Sequence, residues 1–160
     1  RNAGVKRILA KPVAGYTLKT TLAEELAQRG RDLPLSFNRK EAKDHGEGGQ
    51  LIGADMQGKR VLIVDDVITA GTAIREALGI IRAAGGTPAG IVVALDRQEI
   101  ASETDRRSAA QSVAEEAGIP VIAVASLADL LDFASGNPEL VGYRQPLEAY
   151  RAQYGVRSIR

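Results

Sequence analysis

Three short aliphatic runs alternate with stretches of helical periodicity, and that alternation restricts the fold more than any other feature. Val61-Leu62-Ile63-Val64, Ile91-Val92-Val93-Ala94-Leu95 and Val121-Ile122-Ala123-Val124 are apolar throughout. A strand with one face in water would interleave polar residues. A run with none fits a parallel strand covered on both faces. Residues 5–9, interrupted by two cations, form a weaker fourth run.

Helical patterns fill the gaps. Residues 18–29 carry apolar side chains at 18, 22, 23, 26 and 27, with Gly30 placed to end the helix. Residues 73–84 put Ala73, Ala77, Ile80, Ile81 and Ala84 on one stripe before Gly85-Gly86. Further helices are predicted over 108–117, over 127–134 behind Ser126 as N-cap, and over 146–154 starting at Pro146. Strand and helix in turn at this spacing predict an α/β fold, a central and mainly parallel sheet flanked by helices. The whole chain, 1–160, reads as one domain. The 38–53 stretch, polar and rich in glycine, is long for a connection and reads as a functional loop.

Composition closes off several function classes. With no cysteine, the chain has no disulfide framework, thiolate metal site or cysteine nucleophile. One histidine, His45, leaves no multi-histidine zinc site. A net charge of +1 calls for neither nucleic acid nor an anionic membrane as partner. No apolar run nears the roughly 20 residues of a membrane span. The first residues lack a secretory pattern, so a cytoplasmic location is expected.

The run from 61 leads into chemistry. After Val64 come Asp65-Asp66, then Val67-Ile68, then the small-residue turn Thr69-Ala70-Gly71-Thr72-Ala73 and a helix. The reading ends the strand at Val64 and puts the acidic pair just beyond it. In open α/β sheets, ligands bind outside the carboxyl ends of the strands. A turn feeding a helix N-terminus aims unpaired N–H groups outward, which suits a phosphate. Two carboxylates before that turn suit vicinal sugar hydroxyls and a centre that gains positive charge. No lysine follows the glycine, so this is not a P-loop. Acidic residues also cap helices and tolerate turns, which is the plainer explanation of the pair.

Taken as a whole, residues 61–73 resemble the phosphoribosyl pyrophosphate segment of type I phosphoribosyltransferases. That resemblance implies contacts from Asp65 and Asp66 to the ribose hydroxyls. It also implies that the turn Thr69-Ala70-Gly71-Thr72-Ala73 holds the 5′-phosphate, with Val67 and Ile68 among the residues that bind phosphoribosyl pyrophosphate.

The segment Arg39-Lys40-Glu41-Ala42-Lys43-Asp44-His45-Gly46-Glu47-Gly48-Gly49 balances its charges, as a solvated surface does. Yet four of the eight residues 46–53 are glycine, and the only histidine sits beside them. A mobile lid with Arg39, Lys40, Lys43 and His45 would suit a pyrophosphate leaving group. The segment resembles the flexible catalytic loop of orotate phosphoribosyltransferases. The resemblance implies that these four side chains face the pyrophosphate, with Lys43 stabilising the leaving group and His45 beside it. It implies a homodimer in which the 39–49 loop reaches the neighbouring site.

Leu95-Asp96-Arg97-Gln98-Glu99 resembles a third segment of that family. Arg97 would pair with the carboxylate of orotate, a task suited to a planar guanidinium, and Thr69 would touch the base. The implied substrates are phosphoribosyl pyrophosphate and orotate, and the implied cofactor is Mg²⁺ held mainly by substrate oxygens. The match runs from about residue 20 to residue 132 and thins before it. Lys11-Pro12-Val13-Ala14-Gly15-Tyr16 stands where the family has Gly-Pro-x-Tyr-Lys-Gly, and the N-terminal hood reads as divergent or missing. A transferase for another base, and a binding or regulatory module without turnover, are the rival functions.

Overall fold

The computed structural model describes residues 7–10, 16–38, 51–102 and 104–156. Six strands form one sheet: β1 (Arg7–Ala10), β2 (Leu35–Asn38), β3 (Leu51–Gly53), β4 (Arg60–Ile68), β5 (Thr87–Asp96) and β6 (Val121–Ser126). Five helices accompany them: α1 (Tyr16–Gln28), α2 (Thr72–Ala83), α3 (Ala109–Ala117), α4 (Leu127–Gly136) and α5 (Val141–Tyr154). The strand order is β3-β2-β1-β4-β5-β6, parallel except for β3 against β2. From β1 the chain steps to β2 on one side and later to β4 on the other. The order therefore reverses between β1 and β4, where an open sheet leaves a crevice for ligands.

The core explains why these segments take these forms. Val61, Ile63, Ile91 and Val93 are buried in the strands, and Ile74, Ala77, Leu78 and Ile81 of α2 pack over them with Val113 of α3. Positions 74, 77, 78 and 81 follow the i, i+3, i+4, i+7 rule. The stripe expected from Ala73, Ile80 and Ala84 is therefore displaced, because the larger side chains Ile74 and Leu78 take the centre of the buried face. Each fully buried aliphatic side chain contributes about 1.5–3 kcal/mol.

Several boundaries differ from the sequence reading. β4 continues past Val64 to Ile68, pairing Val67 with Leu95 and Ile68 with Asp96. The acidic pair thus lies within the strand, because a partner strand is available to hold its backbone. The ends of the 38–53 stretch are paired strands, Asn38 opposite Leu51, while residues 39–50 lie outside the described ones. α5 begins at Val141, leaving Pro146 inside the helix rather than at its start.

α3 is closed by a capping box. Gln111 N–H donates to Ser108 Oγ at 3.1 Å, and Ser108 N–H donates to Gln111 Oε1 at 2.9 Å. Ser108→Ala is expected to lower the unfolding free energy by about 1 kcal/mol, and Ser108→Gly by only a few tenths. Urea midpoints of the two variants check this, and equal losses would contradict the cap.

Candidate active site

β4 and β5 deliver the candidate residues to one edge. Ile68 lies beside Asp96 in register, so the 69–73 turn and Arg97 leave adjacent strands at the same level. Adjacent strands are about 4.8 Å apart, which puts the 69–73 turn and Arg97 within one small ligand of each other.

The turn is built by Gly71, whose φ of 76° lies in the left-handed region. A side chain there would meet Val113 Cγ2 at 2.7 Å and Arg75 Nη1 at 3.0 Å. Glycine is needed both for the backbone angle and for the close approach. No side chain caps the start of α2, so its first N–H groups have no acceptor from within the helix. Thr69, Ala70 and Thr72 are exposed around them. That arrangement offers N–H groups, two hydroxyls and the positive end of a helix to an anion.

The two carboxylates are not equivalent. Successive strand residues point to opposite faces. Asp65 follows Ile63 onto the face under α2 and α3 and is only 7% exposed. Asp66 lies on the other face and is half-buried. Asp65 Oδ1 accepts the Asp66 N–H at 3.2 Å, and Asp66 Oδ1 accepts the Val67 N–H at 2.9 Å. Asp66 is the more open of the two.

At the end of β5, burial pushes the Asp96 carboxyl above its ordinary range. Its Oδ1 accepts the Gln98 N–H at 2.8 Å, and Gln98 has a φ of 53°. Arg97, with 44% of its side chain exposed, donates from Nη1 to Glu99 Oε1 at 3.2 Å. Its guanidinium carbon lies 5.9 Å from the centre of the Tyr150 ring, within the range of a cation–π contact. The Tyr150 hydroxyl donates to the same Glu99 oxygen, and that bond is the main reason its pKa is raised. α5 therefore flanks the arginine, a relation between residues 97 and 150 that no local pattern announces.

Arg39, Lys40, Lys43 and His45 lie outside the described residues. Among the described residues, no three His, Asp or Glu side chains gather into a metal site, and no helix is long and apolar enough to cross a membrane.

Residues 8–121 match the family described as "Phosphoribosyl transferase domain". The chain is 96% identical, over 146 residues, to the orotate phosphoribosyltransferase of Stenotrophomonas maltophilia (strain K279a), covering 91% of this chain and 67% of that protein. The chain spans about two thirds of the length of the curated relatives it matches, 65% for one from Xanthomonas campestris. Among solved structures, orotate phosphoribosyltransferase from Francisella tularensis superposes with a TM-score of 0.76 at 30% identity, covering 96% of this chain and 72% of that one. The Mycobacterium tuberculosis H37Rv enzyme in complex with 5-phospho-alpha-D-ribosyl 1-diphosphate superposes with a TM-score of 0.60 at 25% identity, covering 78% and 65%.

Proposed function

Because the chain belongs to the orotate phosphoribosyltransferases, within the phosphoribosyl transferase domain family, we propose that its site moves the phosphoribosyl group of phosphoribosyl pyrophosphate onto orotate. The products are orotidine 5′-monophosphate and pyrophosphate, in de novo pyrimidine biosynthesis. The observation that supports the reading is the pairing of Ile68 with Asp96, which sets the 69–73 turn beside Arg97.

In this reading the 69–73 turn holds the 5′-phosphate through backbone N–H groups and the hydroxyls of Thr69 and Thr72. Asp66 takes a ribose hydroxyl by a charge-assisted hydrogen bond, and Asp65 holds the backbone on which Asp66 sits. Arg97 pairs with the orotate carboxylate, and Thr69 reaches the base. The bond from C1 of the ribose to pyrophosphate breaks as the bond to the orotate nitrogen forms, and that nitrogen gives up its proton to solvent. Positive charge develops on the ribosyl centre between them. Asp65 and Asp66 favour that charge, and Lys43, with Arg39, Lys40 and His45, neutralises the departing pyrophosphate. Mg²⁺ would sit on pyrophosphate and ribose oxygens with waters retained, where it adds neutralising charge. A homodimer whose 39–49 loop serves the neighbouring site, and a cytoplasmic setting, belong to the same proposal.

The test is a turnover assay with orotate and Mg²⁺ beside hypoxanthine, adenine and uracil. Orotate should be the preferred base, and Lys43→Ala should lower kcat about 10²–10³-fold. An active parent with an unimpaired Lys43→Ala would remove Lys43 from the mechanism. Binding of phosphoribosyl pyrophosphate without turnover of any base would favour a regulatory module.

A further inference from the structure

We propose that Arg75 is a positioning residue for the phosphate turn, a brace that ties the Ala70 carbonyl to α3. The proposal rests on the reading of residues 69–73 as the phosphate-holding turn. Arg75 Nη1 donates to Ala70 O at 2.7 Å. From the other side of the same guanidinium, Nε donates to Glu116 Oε2 at 2.7 Å and Nη2 to Glu116 Oε1 at 2.9 Å. Nη2 also reaches Ser112 Oγ at 3.3 Å, and that buried hydroxyl donates to Glu116 Oε1 at 2.9 Å. Four of the five N–H donors of a guanidinium are thereby engaged. A solvated ion pair needs only one or two of them and contributes little.

The geometry gives the brace a task. In a trans peptide the C=O and the following N–H point in opposite directions. Drawing the Ala70 carbonyl toward the guanidinium turns the Gly71 N–H away from it, to the open side of the turn where an anion would lie. The guanidinium also lies against Gly71, with Val113 beside it, so the turn is backed on that side. Glu116 neutralises Arg75, and its carboxyl is held down to about 2 chiefly by that hydrogen bond. The pair thus stays ionised near neutral pH. Lysine could not replace this fork, since its donors radiate from one nitrogen.

Glu116 makes the idea testable by sign. Removing a negative charge near an anion site would, by Coulomb attraction alone, tighten phosphoribosyl pyrophosphate binding. If Glu116 acts by holding Arg75, its removal loosens binding instead. Calorimetry with phosphoribosyl pyrophosphate, and steady-state KM for both substrates, should be run on the full chain and on Glu116→Gln, Arg75→Ala and the double variant. Loss of a charge-assisted hydrogen bond predicts about a tenfold weaker Kd and higher KM for phosphoribosyl pyrophosphate in Arg75→Ala. Glu116→Gln should move the same way by a smaller factor, the double variant should be no worse than Arg75→Ala, and KM for orotate should hold. Glu116→Gln binding as tightly as the parent, or more tightly, overturns the brace. It remains the deciding variant if Arg75→Ala fails to fold. A parent that binds no phosphoribosyl pyrophosphate overturns the phosphate-turn reading itself, whereas a binding parent with indifferent variants overturns the brace alone.

Discussion

Gly71→Val should leave a chain that is less stable and no longer holds phosphoribosyl pyrophosphate. Two costs add. A side chain in the left-handed region costs roughly 1–2 kcal/mol, and forcing atoms into a filled space costs about 1–3 kcal/mol more. The filled space is specific: Val113 Cγ2 at 2.7 Å, with Arg75 Nη1 at 3.0 Å. The turn cannot yield toward α3, so it must yield outward, into the volume assigned to the phosphate. Gly79 supplies the control. It lies in the same helix, exposed, with nothing within 4 Å of where its side chain would begin. Gly79→Ala should therefore stabilise the protein, by about 0.5–1 kcal/mol, because it removes backbone freedom from the unfolded chain. Urea titration gives both signs, and calorimetry with phosphoribosyl pyrophosphate gives the binding loss. A Gly71→Val protein as stable as the parent, with its affinity intact, would show that neither the left-handed angle nor the close approach matters.

The second large effect is expected at Asp66. Its Oδ1 is occupied by the Val67 N–H at 2.9 Å, a bond that the carbonyl oxygen of asparagine can keep. Asp66→Asn therefore preserves shape and removes charge. If the carboxylate steadies both a ribose hydroxyl and the developing positive centre, kcat/KM should fall about 10²–10³-fold. The urea midpoint should stay near that of the parent. Asp65→Asn should divide the other way. Asp65 is buried within the sheet, and altering a buried polar partner acts first on stability. A Gln or Asn scan that finds Asp65 dominant in kcat and Asp66 silent would reverse the roles assigned to them.

Much of this was legible because it is local. The runs at 61, 91 and 121 became β4, β5 and β6, but the expectation of cover on both faces fails for β6, which lies at the sheet edge with Ile122 and Val124 57% and 77% exposed. The turn after Ile68 was legible because glycine and hydroxyl residues between a strand and a helix have few other uses. β2 and β3 were not. They hold four and three residues, too few to show a period, and pairing with neighbours makes them strands. Ser36 at the centre of β2 is buried and polar, its Oγ donating to Ala54 O at 2.7 Å, so even its burial carries no hydrophobic mark. The end of β4 was misplaced for a related reason: aspartates read as turn formers until a partner strand holds their backbone. The brace between Arg75 and Glu116 spans 41 positions, and the approach of Tyr150 to Glu99 spans 51. Such distances are bridged by packing alone.

The left-handed backbone of Gln98, beside Arg97, has a consequence for how the base side answers to the rest of the molecule. A non-glycine residue at a φ of 53° stores about 1–3 kcal/mol of strain, and it stays there only while its surroundings insist. Three separate parts of the chain do so. Asp96 accepts its N–H, Val156 donates to its carbonyl at 2.9 Å, and its side-chain Oε1 takes the Ala128 N–H at the start of α4 at 3.0 Å. The residue works as a spring latch with three catches. Loss of any one removes a restraint on the backbone next to Arg97. The setting of Arg97, and with it the proposed pairing with orotate, thereby depends on Val156, just beyond α5.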